Sequence, residues 1–160
     1  MNSCPNIVVC LPNRKKVVEF REGLGNTLGI FAFGPESDAM WKLAGIDAFY
    51  LSLSRAERWG SRPIAPHTVA VLQTSQSEQQ AGYPPFIITG FLLKEGEPTH
   101  ADFVLPLLVR SVLNAVDEVN THQPGAIRAL GFFAFELTFA DCTLTGSAHL
   151  LARLIKERGC

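Results

Sequence analysis

Hydrophobic residues along this chain fall into short runs punctuated by glycine, proline and polar clusters, which is the pattern of strands joined by turns and a few helices. The run Asn6–Leu11 (NIVVCL), closed by Pro12 and Asn13, reads as a buried strand, and the β-branched stretch Lys16–Phe20 (KVVEF) reads as a second strand pairing with it. Gly23, Gly25 and Gly29 then suggest a hairpin or bulged turn, because the following Ile30–Phe33 (IFAF) is strand-like and a dinucleotide fingerprint needs a helix there. Ser37 or Asp38 can cap a short helix running to Ala44, with Met40, Leu43 and Ala44 on its apolar side. Strands are expected over Ile46–Leu53, His67–Thr74 and Phe86–Leu93, with a brief helical turn in Ser54–Ser61 and an exposed loop over Ser75–Tyr83.

The second half changes period. From Asp102 to Val119 the apolar positions Phe103, Val104, Leu107, Leu108, Val112, Leu113 and Val116 recur at three- and four-residue steps, the spacing of one helix face. Ala126–Phe139 is apolar and β-rich, and reads as one long strand or two kinked at Gly131. A last helix starts near Thr145 or Ser147 and buries Leu150, Leu151, Leu154 and Ile155. Strand–helix–strand order around the Asp102 helix implies parallel pairing. The expected fold is therefore α/β, a three-layer mixed sheet flanked by helices, with residues 1–160 as one domain.

Composition adds constraints. With 47% hydrophobic residues, 18% charged residues and a net charge of −1, the chain is neither disordered nor a broad electrostatic binder of nucleic acid or anionic membrane. No run approaches the roughly 20 apolar residues that cross a bilayer, and no signal-peptide pattern follows Met1. The four cysteines, Cys4, Cys10, Cys142 and Cys160, form no C-x-x-C pair, which points to a reduced, cytoplasmic chain without a zinc knuckle, and to Cys160 as an exposed thiol. His67, His100, His122 and His149 have no metal-ligand spacing, so no metal or cofactor is expected.

Candidate chemistry centres on the last strand-to-helix junction. Thr143, Thr145, Gly146 and Ser147 put hydroxyls and a glycine where a helix start presents free amides, a setting suited to phosphate or carboxylate. Helix capping is the competing use of the same residues. Cys142, in that loop, could be a nucleophile activated by the helix terminus, and Glu136, at the end of an apolar strand, is the carboxylate best placed to join it. Arg14, Lys15 and Lys16 form a small basic group. Arg55, Arg58, Trp59 and Arg62 place guanidinium groups beside an indole, which suits base stacking, protein contact or a solvated turn.

From Ile46 to the C-terminus the order of elements resembles that of the macro domain, a three-layer fold that binds ADP-ribose. Ile46-Asp47-Ala48 is similar to the start of the strand leading to that family's Asn-Ala-Ala-Asn motif, whose four positions here are Leu51, Ser52, Leu53 and Ser54. Pro12 and Asn13 stand where the family has an adenine-recognising aspartate, and the second phosphate loop would fall at Phe139–Gly146. The resemblance implies a macro-like architecture. The missing asparagine and glycines speak against hydrolysis of ADP-ribosyl bonds. Three functions are carried forward: binding of a small anionic or nucleotide-like ligand at Thr143–Ser147, a homo-oligomeric interaction module without a small-molecule site, and an enzyme using Cys142 or Glu136. The 11 phenylalanines and mean hydropathy of +0.16 motivate the second.

Overall fold

The computed structural model describes residues 4–35, 45–60 and 65–159. The helix expected up to Ala44, and Arg62 and Cys160, lie outside them. Six strands form one mixed sheet: β1 (Asn6–Cys10), β2 (Ile30–Phe33), β3 (Ala48–Leu51), β4 (Ala70–Gln73), β5 (Phe86–Thr89) and β6 (Ala129–Phe133). Their spatial order is β2-β1-β6-β3-β5-β4; β4 runs antiparallel to β5 and every other neighbour pair is parallel. The helices are α1 (Arg14–Leu24), α2 (Gln76–Gln80), α3 (Ala101–His122) and α4 (Leu144–Glu157).

Alternation along the strands sorts the core into two faces. Ile7, Val9, Ala48, Tyr50, Ile88, Leu130 and Phe132 meet the buried sides of α1, α3 and α4. Val8, Cys10, Phe49, Leu51, Ile87 and Phe133 face the other way and pack with Ile46, Ala56 and Trp59 of the segment after β3 and the turn before it. The fold class is thus the one expected, a mixed sheet flanked by helices, with the three long helices on one face and a thinner cover on the other.

Several elements differ from the sequence reading. Lys16–Phe20 is not a strand but the middle of α1: Asn13 caps it by accepting from the Lys16 amide at 2.9 Å, and Val17, Phe20 and Leu24 bury one helical face. Gly25, with φ of 59°, ends that helix, so β1 and β2 are joined by a helical crossover and pair in parallel rather than as a hairpin. Ser75–Tyr83 holds the short helix α2, fixed by a capping box between Ser75 and Glu78. Ala126–Phe139 is one five-residue strand followed by a 3-10 turn over Ala134–Leu137, with no kink at Gly131. Gly131 instead makes room for an aromatic ring, since a Cβ there would lie 2.5 Å from two ring carbons of Phe49.

Candidate functional site

The parallel strands direct their carboxyl ends to one edge of the sheet. At the middle of that edge the chain diverges. β1 leads through α1 to β2 on one side, β3 leads on towards β4 and β5 on the other, and β6 ends between them. In open α/β sheets a crevice outside such a point of divergence is where ligands bind. Here the end of β6 supplies Phe133, Phe135 and Glu136, and the end of β3 supplies Ser52 and Arg55.

Phe133 is buried, whereas Phe135, two residues on in the 3-10 turn, is 70% exposed. The Arg55 guanidinium lies 4.7 Å from the Phe133 ring centre and 5.8 Å from that of Phe135. Glu136 is half-buried between the two strand ends, where its Oε1 accepts from the Ser52 amide at 3.4 Å. Burial pushes the Glu136 carboxyl above its ordinary range, against the opposing pull of the Ser52 amide and Arg55. The Tyr50 hydroxyl, buried on the helix face and near Glu136, is pushed up as well, by desolvation first and by that carboxylate second.

The start of α1 follows β1, the strand beside β6. Its first turn contains no acidic residue but carries Arg14, Lys15 and Lys16, so three cations stand at the positive end of a helix dipole. Lys16 reaches Glu19 at 3.4 Å, while Arg14 and Lys15 are exposed. The basic group Arg14, Lys15 and Lys16 is therefore a helix N-terminus at the carboxyl edge of the sheet.

The Thr143–Ser147 turn also sits at a helix start, but its hydroxyls are engaged within the protein. Thr143 caps α4 by accepting from the Gly146 amide at 3.0 Å. Thr145 Oγ1 donates to the Glu19 carbonyl at 3.2 Å, and the buried Ser147 Oγ donates to the Leu137 carbonyl at 2.5 Å. The cap is Thr143 rather than Thr145 or Ser147. Asp141, next to this turn, accepts from the Ala101 amide at the start of α3 at 3.1 Å. The lowered thiol pKa expected for Cys142 is not found: burial, then Asp141, then Asp102, push it up. His149 is exposed on α4.

The remaining candidates hold the scaffold together. Arg58 donates to the Tyr83 hydroxyl at 2.9 Å, and Trp59 Nε1 donates to Glu78 Oε2 at 2.7 Å, so this part of the Arg-Trp cluster ties the 3-10 turn Glu57–Trp59 to α2. Asp47 accepts from the amides of Arg128 and Ala129 at 2.8 and 3.0 Å, joining the amino ends of β3 and β6. Cys4 is disulfide-bonded, contrary to the expectation of a fully reduced chain, while Cys142 is a free thiol and Cys10 is buried. Among the described residues no three His, Cys, Asp or Glu side chains gather as metal ligands, and no helix is long and apolar enough to cross a membrane.

Sequence reasoning singled out Glu136 and Arg55 separately and passed over Phe135. Only the pairing of β3 beside β6 brings the three to one place. No protein-family model matches the chain, and a search of curated proteins returns no match.

Proposed function

We propose that this protein binds a small nucleotide-like anion at the carboxyl edge of its parallel strands, centred on the end of β6. The observation that carries this reading is the convergence at the strand divergence point of an exposed aromatic ring, Phe135, with Arg55 and Glu136, next to the basic N-terminus of α1. An exposed ring beside a guanidinium suits stacking of a heterocycle. A helix start bearing Arg14 and Lys15 suits phosphate. Thr143, Thr145, Gly146 and Ser147 belong to the proposal as a second contact, through the Thr145 amide at the start of α4, since the hydroxyls and the Gly146 and Ser147 amides already have partners within the protein. A macro-like architecture also belongs to it, supported by the mixed six-stranded sheet with its helices and by the resemblance in element order.

The test is thermal unfolding against ADP-ribose, mononucleotides, inorganic phosphate and common divalent metals. A ligand present at 100 times its Kd and binding only the folded chain adds about 2.7 kcal/mol. Replacing Arg14 and Lys15 together by alanine should weaken the response at least tenfold; an unchanged affinity would remove the α1 terminus from the site. Gly146→Ala tests the second contact, with the cap checked by circular dichroism because a Cβ there lies 3.0 Å from Cys142 Sγ.

A second reading, self-association, is favoured by a specific observation. Leu28, Phe31 and Phe33, on and before the edge strand β2, are exposed by 91%, 45% and 43%. Light scattering over a concentration series decides it.

A further inference from the structure

Glu136 is the carboxylate that the ends of β3 and β6 bring together with Arg55 and Phe135, and its two oxygens are not equally used. Oε1 receives the Ser52 amide across 3.4 Å, a long bond, and among the described residues no hydrogen-bond donor reaches Oε2. Arg55 does not close an ion pair on it, its guanidinium lying instead over Phe133 and Phe135. An ionised carboxylate only accepts hydrogen bonds, so whatever completes this half-buried group must offer donors. Two parallel N–H groups satisfy both oxygens at once, in the bidentate manner that makes charge-assisted pairs strong and directional. Phe135, 70% exposed in the same 3-10 turn and 5.8 Å from the Arg55 guanidinium, supplies a flat apolar surface at this end of β6.

The geometry points to a guanine nucleotide as the ligand, its base stacked at Phe135 and its N1–H and N2–H donors on the Glu136 carboxylate. The proposal rests on the nucleotide-binding reading above and adds the base to it. Guanine presents two adjacent donors on that edge. Adenine presents one donor beside an acceptor, N1, that a carboxylate repels. Sites built to hydrogen-bond a particular edge discriminate strongly against the analogue that leaves their polar groups unpaired. Burial holds the Glu136 carboxyl above its ordinary range, and two N–H donors favour its charged form, so guanine binding should lower the pH at which it titrates.

Isothermal titration with GDP, ADP and inorganic phosphate tests this on the full chain, with Glu136→Gln and Phe135→Ala as variants and their melting curves as folding controls. The expected result is a GDP affinity at least tenfold above that of ADP, a gap that closes in Glu136→Gln, and a weakening of both nucleotides in Phe135→Ala. Equal affinities for GDP and ADP would overturn the guanine assignment while leaving the nucleotide reading in place. A guanine preference that survives in Glu136→Gln would overturn the role of Glu136. Failure of both nucleotides to bind would remove the underlying reading and this inference with it.

Discussion

Thr89 is fully buried at the end of β5, and its Oγ1 has no hydrogen-bond partner. A buried polar group left unpaired costs about 1–3 kcal/mol, whereas an apolar group of the same shape costs nothing of the kind. Thr89→Val should therefore raise the unfolding free energy by about 1 kcal/mol in urea melts, and a loss of stability would mean that the hydroxyl has a use in the folded chain. Glu136 makes the opposite kind of statement. Its carboxyl titrates higher in the folded state than in the unfolded one, so the folded chain holds the proton more firmly. The contribution to stability is fully present below the ordinary glutamate range and is lost as pH rises through the raised folded value. Glu136→Gln, which cannot ionise, should remove that fall from the stability–pH profile and leave the variant more stable than the parent at neutral pH. Glu78 and Glu97 act with the reverse sign. For Glu78 the Ser75 amide leads in holding the carboxyl low; for Glu97 the Lys94 amide and His67 outweigh burial, so their share is lost as pH falls.

At the scale of elements, α1 shows why part of the fold was hidden in the sequence. Val17, Val18 and Phe20 are residues that favour strands, yet Val17, Phe20 and Leu24 also keep three- and four-residue spacing behind the capping Asn13. Propensity and period disagreed, and packing against α4 decided, with Gly23 lying so close that a Cβ would meet the Thr145 carbonyl at 2.1 Å. The long α3, by contrast, was legible because its period runs unbroken over five turns, with Pro106 close enough to the start to be tolerated. The candidate site was legible only in fragments, since residues 52–55 and 133–136 are brought together by strand pairing and by nothing local. The first turn of α1 also carries a cost that the proposed anion binding would account for. Cations at the positive end of a helix are unfavourable, each by about 0.3–1 kcal/mol. Arg14→Glu with Lys15→Glu should raise the melting temperature while abolishing binding of anionic ligands. A variant that loses stability, or gains it and still binds, would separate the two effects and contradict the assignment.

For the whole molecule, the question is how an open sheet keeps its edges from joining another chain. β2 is bound on one side by β1 alone, so Ile30 and Ala32 turn their backbone groups outward. Arg21 reaches from α1 and donates to the Ala32 carbonyl at 2.9 Å, occupying one of those acceptors with a charged side chain. A groove of about 230 Å³ remains there, lined by Arg21, Leu24, Thr27, Ile30 and Phe31 among others, with the exposed Leu28 beside it. Apolar surface and free backbone along one edge favour pairing with a second copy, and the guanidinium opposes it. Removing the guanidinium should tip the balance. Arg21→Ala is expected to shift the chain towards dimers at lower concentration in light scattering, because the Ala32 carbonyl and the groove are both opened. Phe31→Lys in that background should return it to the parent's behaviour by placing charge on the same edge. If Arg21→Ala associates no more than the parent, Arg21 is a packing contact between α1 and β2 and the edge is protected by its shortness. If Phe31→Lys fails to reverse the association, the copies meet through another face of the molecule.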